Sequence, residues 1–390
     1  MIKSLANNYS RILSNVVYGQ GSMLFTRDGK KYIDAFSGYG ATIFGHNYKP
    51  IVDTIIENSS KLFSCGGVIS TEPLQTFADK ITYMTHYDKV LPLNTGSEAF
   101  ECAVMLSQKY GIEHLKIPHN HVKIVSFYGN FHGRTLGAIS ASTNVNHRFG
   151  RGALSDGFIN AIPSIKGIKA SMNPNVCAYI IEPIQGENGM IEHNPETLLF
   201  LRDFCKMNGI LLIADEIQSG CGRTGSMYYL ESLGIKPDIL MLGKGLSGGA
   251  IPISVVLADN KIMKYTDVKS ISTYGSTFGG NPLACAVAST VLDNLNKDIF
   301  NKVINDGLCF SDRFSDRLKN NHNNQSGIGL MRGIKVKNNK LFVEKLLSEY
   351  GIITTIANNN TVRYTPALNN GMEINDMIID AYCELYSKMH

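Results

Sequence analysis

The sequence predicts an α/β fold built on a mostly parallel central sheet, because short apolar runs alternate with helical segments along its middle. The runs are unbroken instead of alternating in polarity, which is typical of strands that helices cover on both faces. They are KIVSFY (123–128), VCAYIIEP (176–183), GILLIADE (209–216), DILMLGK (238–244) and ISVVLAD (253–259). A chain of 390 residues is longer than one hydrophobic core usually supports, so a second, smaller domain is expected.

The ends of the chain predict that smaller α+β domain. A long helical stretch begins after about residue 286 and is followed by two strand-like pieces, GLMRGIKV (329–336) and NTVRYTPAL (360–368), on either side of a helical segment. We expect the N- and C-terminal parts to form the small domain together and the middle to form the large one. The predicted bounds are 1–40 and 286–390 for the former and 41–285 for the latter.

Composition and charge argue against several classes of protein. The net charge of +4 is spread without a basic run, so neither nucleic acid nor an anionic membrane is an expected partner. No apolar run approaches the roughly 18–20 residues that a membrane span needs. The eight cysteines are scattered without CxxC spacing, so we expect no metal site, and reduced thiols in the cytoplasm fit best.

Polar residues follow four of the apolar runs, at the strand ends where ligands collect in parallel α/β sheets. Lys244 lies between glycines in LMLGKGLSGG, and its amine can act as a nucleophile where its surroundings keep it neutral. A lysine at a strand end can also extend into solvent, and the residue alone leaves this possibility open. Asp215 ends the buried run LLIAD, where a carboxylate needs a cation beside it or a helix to cap.

An anion site and a planar-ligand site are predicted beside these strand ends. NTGSEAFECAVMLSQKYG (94–111) predicts an amphipathic helix that begins near Ser97, with Gly96 and Ser97 presenting N–H groups and a hydroxyl to an anion, although such a pair is also an ordinary helix cap. Phe131 follows a strand end, where its ring either stacks on a flat cofactor or belongs to the core. Arg134 in the same turn has the planar fork that binds a carboxylate.

Four segments together resemble the class III aminotransferases, which are pyridoxal-phosphate (PLP) enzymes of fold type I. These segments are NTGSEAFE, LLIADEIQSGCGRTG, PDILMLGKGLSGG and STFGGNPLACAVA, and their order and spacing agree as well as their content. The resemblance extends from about Asn8 to the end of the chain, so no transit peptide is expected. It implies a transaminase that uses PLP and works as a homodimer with shared active sites.

The resemblance implies roles for the residues around the cofactor ring. Lys244 matches the lysine that binds PLP covalently and then moves the proton, and Asp215 matches the partner of the pyridine nitrogen. Gln218 matches the residue that bonds the 3′-oxygen. Phe131 matches the ring that stacks on PLP, and His132, the next residue, belongs to the same cofactor-binding set.

The cofactor phosphate is assigned in the same way. Gly96 and Ser97 match the residues that hold the phosphate. Thr277, with Ser276 beside it, matches the hydroxyl that reaches the phosphate of the partner subunit. The resemblance therefore implies that each active site of the homodimer is completed by the other chain.

Four further residues match those that recognise substrates. Arg134 matches the arginine that takes a substrate carboxylate. Glu187 and Arg363 match a switch pair, in which the glutamate covers the arginine for the diamine and releases it for 2-oxoglutarate or glutamate; their sequence spacing does not show whether they meet. Tyr39, in FSGYGAT, matches a tyrosine that contacts the α-amino group of ornithine.

The amino donor implied by the resemblance is ornithine. Its δ-amino group would pass to 2-oxoglutarate, giving glutamate and glutamate 5-semialdehyde, which cyclises to pyrroline-5-carboxylate. Two departures favour acetylornithine as a second possible donor: His132 replaces a tryptophan, and Val68 or Ile69 occupies the region of a second expected aromatic residue. The sequence also leaves open a different ω-amino donor such as 4-aminobutyrate, a PLP-dependent aminomutase and a non-catalytic binding protein.

Overall fold

The N-terminal part of the chain forms a small antiparallel meander. In the computed structural model, which describes residues 4–267, 274–317 and 324–389, its strands are β1 (Val16–Gln20), β2 (Met23–Thr26) and β3 (Lys31–Asp34). The tight turn between β2 and β3 uses Gly29, whose φ of +81° lies in the left-handed region that glycine tolerates best. The meander precedes the central sheet.

The central sheet of the described residues has seven strands, most of them parallel. The strands are β4 (Lys89–Leu93), β5 (Lys123–Phe127), β6 (Phe158–Ala161), β7 (Val176–Ile181), β10 (Leu211–Asp215), β11 (Ile239–Leu242) and β12 (Ser254–Ala258). Their order across the sheet is β4-β12-β11-β10-β7-β5-β6, and β12 is antiparallel to both of its neighbours. Each of the five predicted runs is confirmed as a strand, and the predicted α/β fold is confirmed.

A short hairpin follows β7, and helices cover the central sheet on both faces. The hairpin strands are β8 (Ile184–Gln185) and β9 (Ile191–Glu192). Side chains along β10 alternate between two hydrophobic cores, with Leu212 and Ala214 in one and Leu211 and Ile213 in the other. This alternation explains why the strands are apolar throughout, since neither face meets water.

Several helices of the described residues begin at capping residues that the sequence supplies. Thr71, Thr95, Thr135, Ser164 and Asn281 each accept a backbone N–H at a helix start. No helix in the described ranges is both long and apolar enough to cross a membrane. The helices are α1 (Ser37–Gly40), α2 (Lys49–Asn58), α3 (Glu72–Thr85), α4 (Gly96–Glu113), α5 (Leu136–Ala141), α6 (Val145–Arg148), α7 (Ile165–Ser171), α8 (Pro195–Met207), α9 (Tyr229–Ser232), α10 (Asn260–Met263), α11 (Pro282–Asn294), α12 (Lys297–Arg317), α13 (Asn339–Tyr350) and α14 (Met372–Met389).

The C-terminal part forms a second antiparallel sheet and joins the N-terminal meander. Its strands are β13 (Gln325–Ile328), β14 (Met331–Lys335), β16 (Ile356–Ala357) and β17 (Thr361–Tyr364). The remaining strand, β15 (Ile352–Ile353), pairs in parallel with β3 of the meander. The two strand-like pieces predicted on either side of a helix are therefore confirmed as β14 and β17, whereas the domain bounds 1–40, 41–285 and 286–390 stay a prediction.

Candidate active site

A cleft of about 570 Å³ lies at the carboxyl ends of the parallel strands, where the sequence predicted the chemistry. β10 ends at Asp215, and Lys244 follows β11 by two residues. The structure brings most of the predicted site residues to this one cleft. Those that line it are Tyr39, Gly96, Ser97, Phe131, His132, Arg134, Glu187, Asp215, Gln218 and Lys244.

Lys244 has the backbone and the surroundings of a functional residue. Its φ of +37° lies in the left-handed region, which a residue with a side chain adopts only when its neighbours hold it there. No described residue forms a hydrogen bond or an ion pair with its Nζ. Desolvation by burial lowers the pKa of this amine, although the charges of Glu187, Glu182 and Asp215 act in the opposite direction. A larger share of the amine is therefore neutral, which is the nucleophilic form.

Asp215 is a buried carboxylate held in place from two sides. Its Oδ2 lies 2.7 Å from Nδ1 of His132, and its Oδ1 accepts the backbone N–H of Ile217 at 3.2 Å. The His132 ring stacks on Phe100 with centroids 5.0 Å apart and planes 12° apart. Phe100 belongs to α4, so the core behind the helix fixes the ring that orients the carboxylate.

The first turn of α4 presents free N–H groups to the cleft. Thr95 caps the helix by accepting the N–H of Glu98, and the Glu98 carboxylate accepts the N–H of Thr95 in return, which completes a capping box. This arrangement leaves the N–H groups of Gly96 and Ser97 without an acceptor among the described residues. A helix N-terminus with spare donors is suited to an anion such as a phosphate.

Gln218 and Phe131 flank the same space. Nε2 of Gln218 donates to the carbonyl oxygen of Tyr39 at 3.2 Å. A Cβ at Gly186 would lie 1.8 Å from Oε1 of Gln218, so a larger residue at 186 would displace the amide of this glutamine from its present position. The ring of Phe131 meets His147 edge to face with centroids 5.5 Å apart, and Phe131 lines the cleft.

Glu187 and Arg363 meet, which their distance in the sequence did not reveal. Nη2 of Arg363 lies 2.7 Å from Oε2 of Glu187, and the guanidinium lies 5.5 Å from the centre of the Tyr39 ring. Burial opposes ionisation of Glu187, but Arg363, together with Lys244 and Arg134, lowers the pKa of the carboxyl overall. Nη1 of Arg363 is buried and has no partner among the described residues, so the guanidinium keeps a spare donor.

Several predicted residues lie at the rim of the cleft or outside it. Arg134 is exposed at the rim and forms no ion pair with a described residue. Ser276 accepts a hydrogen bond from Nδ2 of Asn94 at 2.7 Å, and Thr277 is exposed and does not line the cleft of its own chain. Val68 and Ile69 are 97% and 52% exposed and do not line the cleft either.

The cleft also contains residues that the sequence reasoning did not single out. Tyr9 lines it from the N-terminal segment, where no motif or periodicity marks the position. Glu182 lines it at the end of β7, and its Oε2 accepts the N–H of Phe131. Its place directly after an apolar run was the available signal, the same one that pointed to Asp215. Asn130 is buried behind the cleft wall, and its place in the polar turn that follows the apolar run 123–128 was the available signal.

Comparisons with known proteins place the chain in a family. The profile of Aminotransferase class-III matches residues 4–385. The chain is 34% identical over 388 residues to an ornithine aminotransferase of Macrococcus caseolyticus, covering 98% of this chain and 96% of that one. It is 35% identical over 371 residues to an ornithine aminotransferase of Plasmodium falciparum, covering 93% of this chain and 89% of that one.

Solved structures with a similar fold also belong to aminotransferases. The ornithine aminotransferase of Toxoplasma gondii superimposes with a TM-score of 0.94 at 29% identity, over 99% of this chain and 93% of that one. A second structure of the Toxoplasma enzyme has PLP at partial occupancy in its active site. An acetylornithine aminotransferase from Elizabethkingia anophelis also superimposes, with a TM-score of 0.86 at 30% identity over 99% of this chain and 97% of that one.

The chemistry of the cleft fits PLP at each of its polar groups. The free N–H groups at the start of α4 complement a phosphate, and the buried carboxylate of Asp215 complements a protonated pyridine nitrogen. Lys244 supplies an amine for the aldehyde, and no residue in the described part of the chain occupies that amine. The chain belongs to the class III aminotransferases, a family of transaminases whose cofactor is pyridoxal phosphate.

Proposed function

We propose that this chain transfers the δ-amino group of ornithine to 2-oxoglutarate, giving glutamate and glutamate 5-semialdehyde, which cyclises to pyrroline-5-carboxylate. The observation that carries the proposal is the Glu187–Arg363 ion pair beside Tyr39, in the same cleft as Lys244. A transaminase that accepts a cationic donor and a dianionic acceptor in one site needs a cation that can be covered and uncovered. The ornithine aminotransferases of about 35% identity support the same donor.

We assign the cofactor contacts to the residues of the cleft. Gly96 and Ser97 hold the phosphate, Gln218 bonds the 3′-oxygen and Phe131 covers the ring. Bound PLP supplies an electron sink for the bond that breaks at the amino-bearing carbon. Asp215, oriented by His132, keeps the pyridine nitrogen protonated.

Lys244 has two tasks in this proposal. Its amine would hold the cofactor covalently through the aldehyde. In its free, neutral form the same amine would be the general base that accepts a proton from the amino-bearing carbon of the donor. The lowered pKa of Lys244 supports this role, since a base must be deprotonated to accept the proton.

The two substrates use the rim of the cleft differently. Arg134 is exposed and forms no ion pair with a described residue. In this proposal it binds the carboxylate that both substrates carry. While Glu187 neutralises Arg363, the inner wall tolerates the cationic end of ornithine. When 2-oxoglutarate enters, its second carboxylate replaces Glu187 on Arg363, and the spare Nη1 donor makes a two-point contact available.

We further propose a cytoplasmic homodimer in which Ser276 and Thr277 of each chain reach the phosphate of the other. The exposure of Thr277, together with its absence from its own cleft, supports a role in trans. All eight cysteines are free, which supports a reducing compartment.

Acetylornithine is the second candidate donor. No aromatic side chain from the segment around Val68 and Ile69 lines the described cleft, so a larger α-substituent is less obstructed there. His132 in place of a tryptophan points the same way.

A donor panel tests the proposal. Initial rates would be measured with 2-oxoglutarate and either ornithine, N-acetylornithine or 4-aminobutyrate, and pyrroline-5-carboxylate would be trapped. We expect ornithine to have the highest kcat/KM by at least about tenfold, a margin of about 1.4 kcal/mol in transition-state binding. A higher kcat/KM for N-acetylornithine would contradict the proposal and make N-acetylornithine the donor. Turnover without any keto acid would indicate an aminomutase.

A further inference from the structure

His132 has two ring nitrogens, and both are engaged inside the protein. Nδ1 lies 2.7 Å from Oδ2 of Asp215, and Nε2 lies 3.2 Å from Nδ2 of Asn130. The imidazole side chain is completely buried, so water does not compete for either nitrogen. The tautomer of the ring therefore depends on which atom of the Asn130 amide faces it.

The orientation of Asn130 is fixed by neighbours whose roles are unambiguous. Its Nδ2 also donates to the carbonyl oxygen of Ile180 at 3.3 Å, and its Oδ1 accepts from Nε2 of Gln185 at 2.9 Å. The same Nε2 of Gln185 donates to the carbonyl oxygen of Tyr128 at 2.8 Å. Carbonyl oxygens only accept, so both amides have one consistent orientation.

Reversing either amide breaks this pattern. With Asn130 reversed, its oxygen would face the carbonyl of Ile180 and its nitrogen would face the nitrogen of Gln185. With Gln185 reversed, its oxygen would face the carbonyl of Tyr128. Asn130 and Gln185 are each 2% exposed, so the polar atoms left unpaired would have no water to bond.

We propose that Asn130, held by Gln185, is a positioning residue that keeps His132 neutral with its proton on Nδ1. Nε2 must accept the Asn130 N–H, so Nδ1 carries the hydrogen and donates it to Asp215. A second proton on Nε2 would point at the amide N–H group. Asp215 therefore stays an ionised acceptor with one lone pair occupied by a neutral donor. The tautomer is independent of the reaction, whereas its consequence for PLP rests on the role proposed above for Asp215.

Nitrogen NMR of the apoenzyme tests the tautomer directly. With ring-¹⁵N histidine, and with the His132 signals assigned by their loss in His132→Gln, we expect a protonated Nδ1 and a bare Nε2 at neutral pH. A bare Nδ1, or protons on both nitrogens, would overturn the proposal. This measurement needs neither PLP nor substrate, so its result is separate from the donor assignment and from turnover.

Asn130→Asp tests the cause. An aspartate at 130 accepts a hydrogen bond from Nε2, so we expect both ring nitrogens to be protonated in this variant. Asn160→Asp is the matched control, because Asn160 lies on β6 in the same sheet and donates to the carbonyl of Ala141 without touching His132. His132 should keep its wild-type tautomer in the control, and an unchanged tautomer in Asn130→Asp would also overturn the proposal.

PLP affinity reports the consequence. A cationic His132 would draw the charge of Asp215 to itself and weaken its hold on a protonated pyridine nitrogen. We expect the Kd of PLP, measured by titrating the apoenzyme, to rise about tenfold in Asn130→Asp, the difference between a charge-assisted and an ordinary hydrogen bond. The control should bind PLP as the wild type does. Equal affinity in both variants would contradict the link from Asn130 to the cofactor.

Discussion

Glu182 is a buried carboxyl whose surroundings favour its neutral form. The side chain is 5% exposed, it lies close to the carboxylate of Asp215, and its Oε2 accepts the N–H of Phe131. Desolvation by burial, with repulsion from Asp215 next, raises the pKa of Glu182 well above its usual value, and the Phe131 N–H and Lys244 reduce the effect only in part. This shift favours the protonated form of the carboxyl, in which Glu182 is a hydrogen-bonding group without a charge.

Glu182→Gln is therefore expected to be mild. Glutamine has the shape of a protonated carboxyl, and its oxygen can accept the Phe131 N–H. We expect the free energy of unfolding in urea at neutral pH to stay within about 1 kcal/mol of the wild type, and the pH dependence from this group to disappear.

Glu182→Ala is the informative contrast. It leaves the Phe131 N–H unpaired and opens a cavity, so we expect a loss of about 2–4 kcal/mol in the same measurement. If Glu182→Gln were as destabilising as Glu182→Ala, the folded protein would need the negative charge at this position.

At the scale of elements, the hairpin β8–β9 carries Glu187 in its turn. The residue that follows the hairpin, His193, makes the stability of the fold depend on pH. His193 lies directly after β9 and its backbone N–H donates to the carbonyl of Pro183. The residue is 6% exposed, and its Nε2 has no partner among the described residues. Burial lowers the pKa of His193 from 6.5 to about 4, so the folded state holds the ring neutral.

The sign of the pH effect follows from that shift. A pKa lower in the folded state than in the unfolded state means that the unfolded chain binds the proton first. The contribution to stability is complete above pH 6.5 and is lost as the pH falls toward 4, and it amounts to about 3 kcal/mol for this interval. We expect His193→Gln to reduce the loss of unfolding free energy across that interval by about this amount. His121→Gln, at an exposed position, is the control and should leave the pH profile unchanged.

The central strands that the sequence predicted are those in which burial on both faces requires an unbroken apolar run. β5, β7, β10, β11 and β12 are apolar on both faces and were predicted from that property. β4 was not predicted because KVLPL contains Pro92, yet β4 is the edge strand of the sheet, where a residue without an N–H is tolerated. β6 was missed because four residues that include Asn160 give too short an apolar run.

The residues of the cleft were predictable where a local sequence pattern marks them. Lys244 and Asp215 follow strands directly, so a rule about strand ends found both. The contact between Glu187 and Arg363 depends on the C-terminal sheet meeting the β8–β9 hairpin, which no local pattern encodes. The backbone N–H of Asn358 donates to the carbonyl of Glu187, and this bond helps to hold the two parts together.

For the molecule as a whole, the cleft lies where three parts of the chain meet. Tyr39 comes from the N-terminal part, Lys244 from the middle and Arg363 from the C-terminal part. Arg223, fully buried, joins the loop after β10 to the C-terminal part by donating from Nη1 to the carbonyls of Leu330 and Pro366. A site assembled from distant segments keeps its geometry only while the whole chain is folded.

The proposed homodimer adds a fourth part, and a mixed dimer tests it. Lys244→Ala removes the anchoring amine, and Thr277→Asp places a negative charge against the cofactor phosphate, so each homodimer should be inactive or nearly so. Thr277 is exposed, so its replacement should not impair folding. The two variants, co-expressed with different affinity tags, can be purified as a heterodimer and assayed with the donor panel described above.

The location of Thr277 decides the result. If Thr277 acts in trans, both changes fall in one site of the heterodimer and the other site is intact, so we expect about half of the wild-type dimer activity. If Thr277 acts on its own chain, each site contains one change and the heterodimer stays inactive. Full activity of the Thr277→Asp homodimer would instead remove this residue from the phosphate site. Recovery of activity only in the mixed dimer is therefore the outcome that the shared-site arrangement requires, because no rearrangement within one chain can produce it.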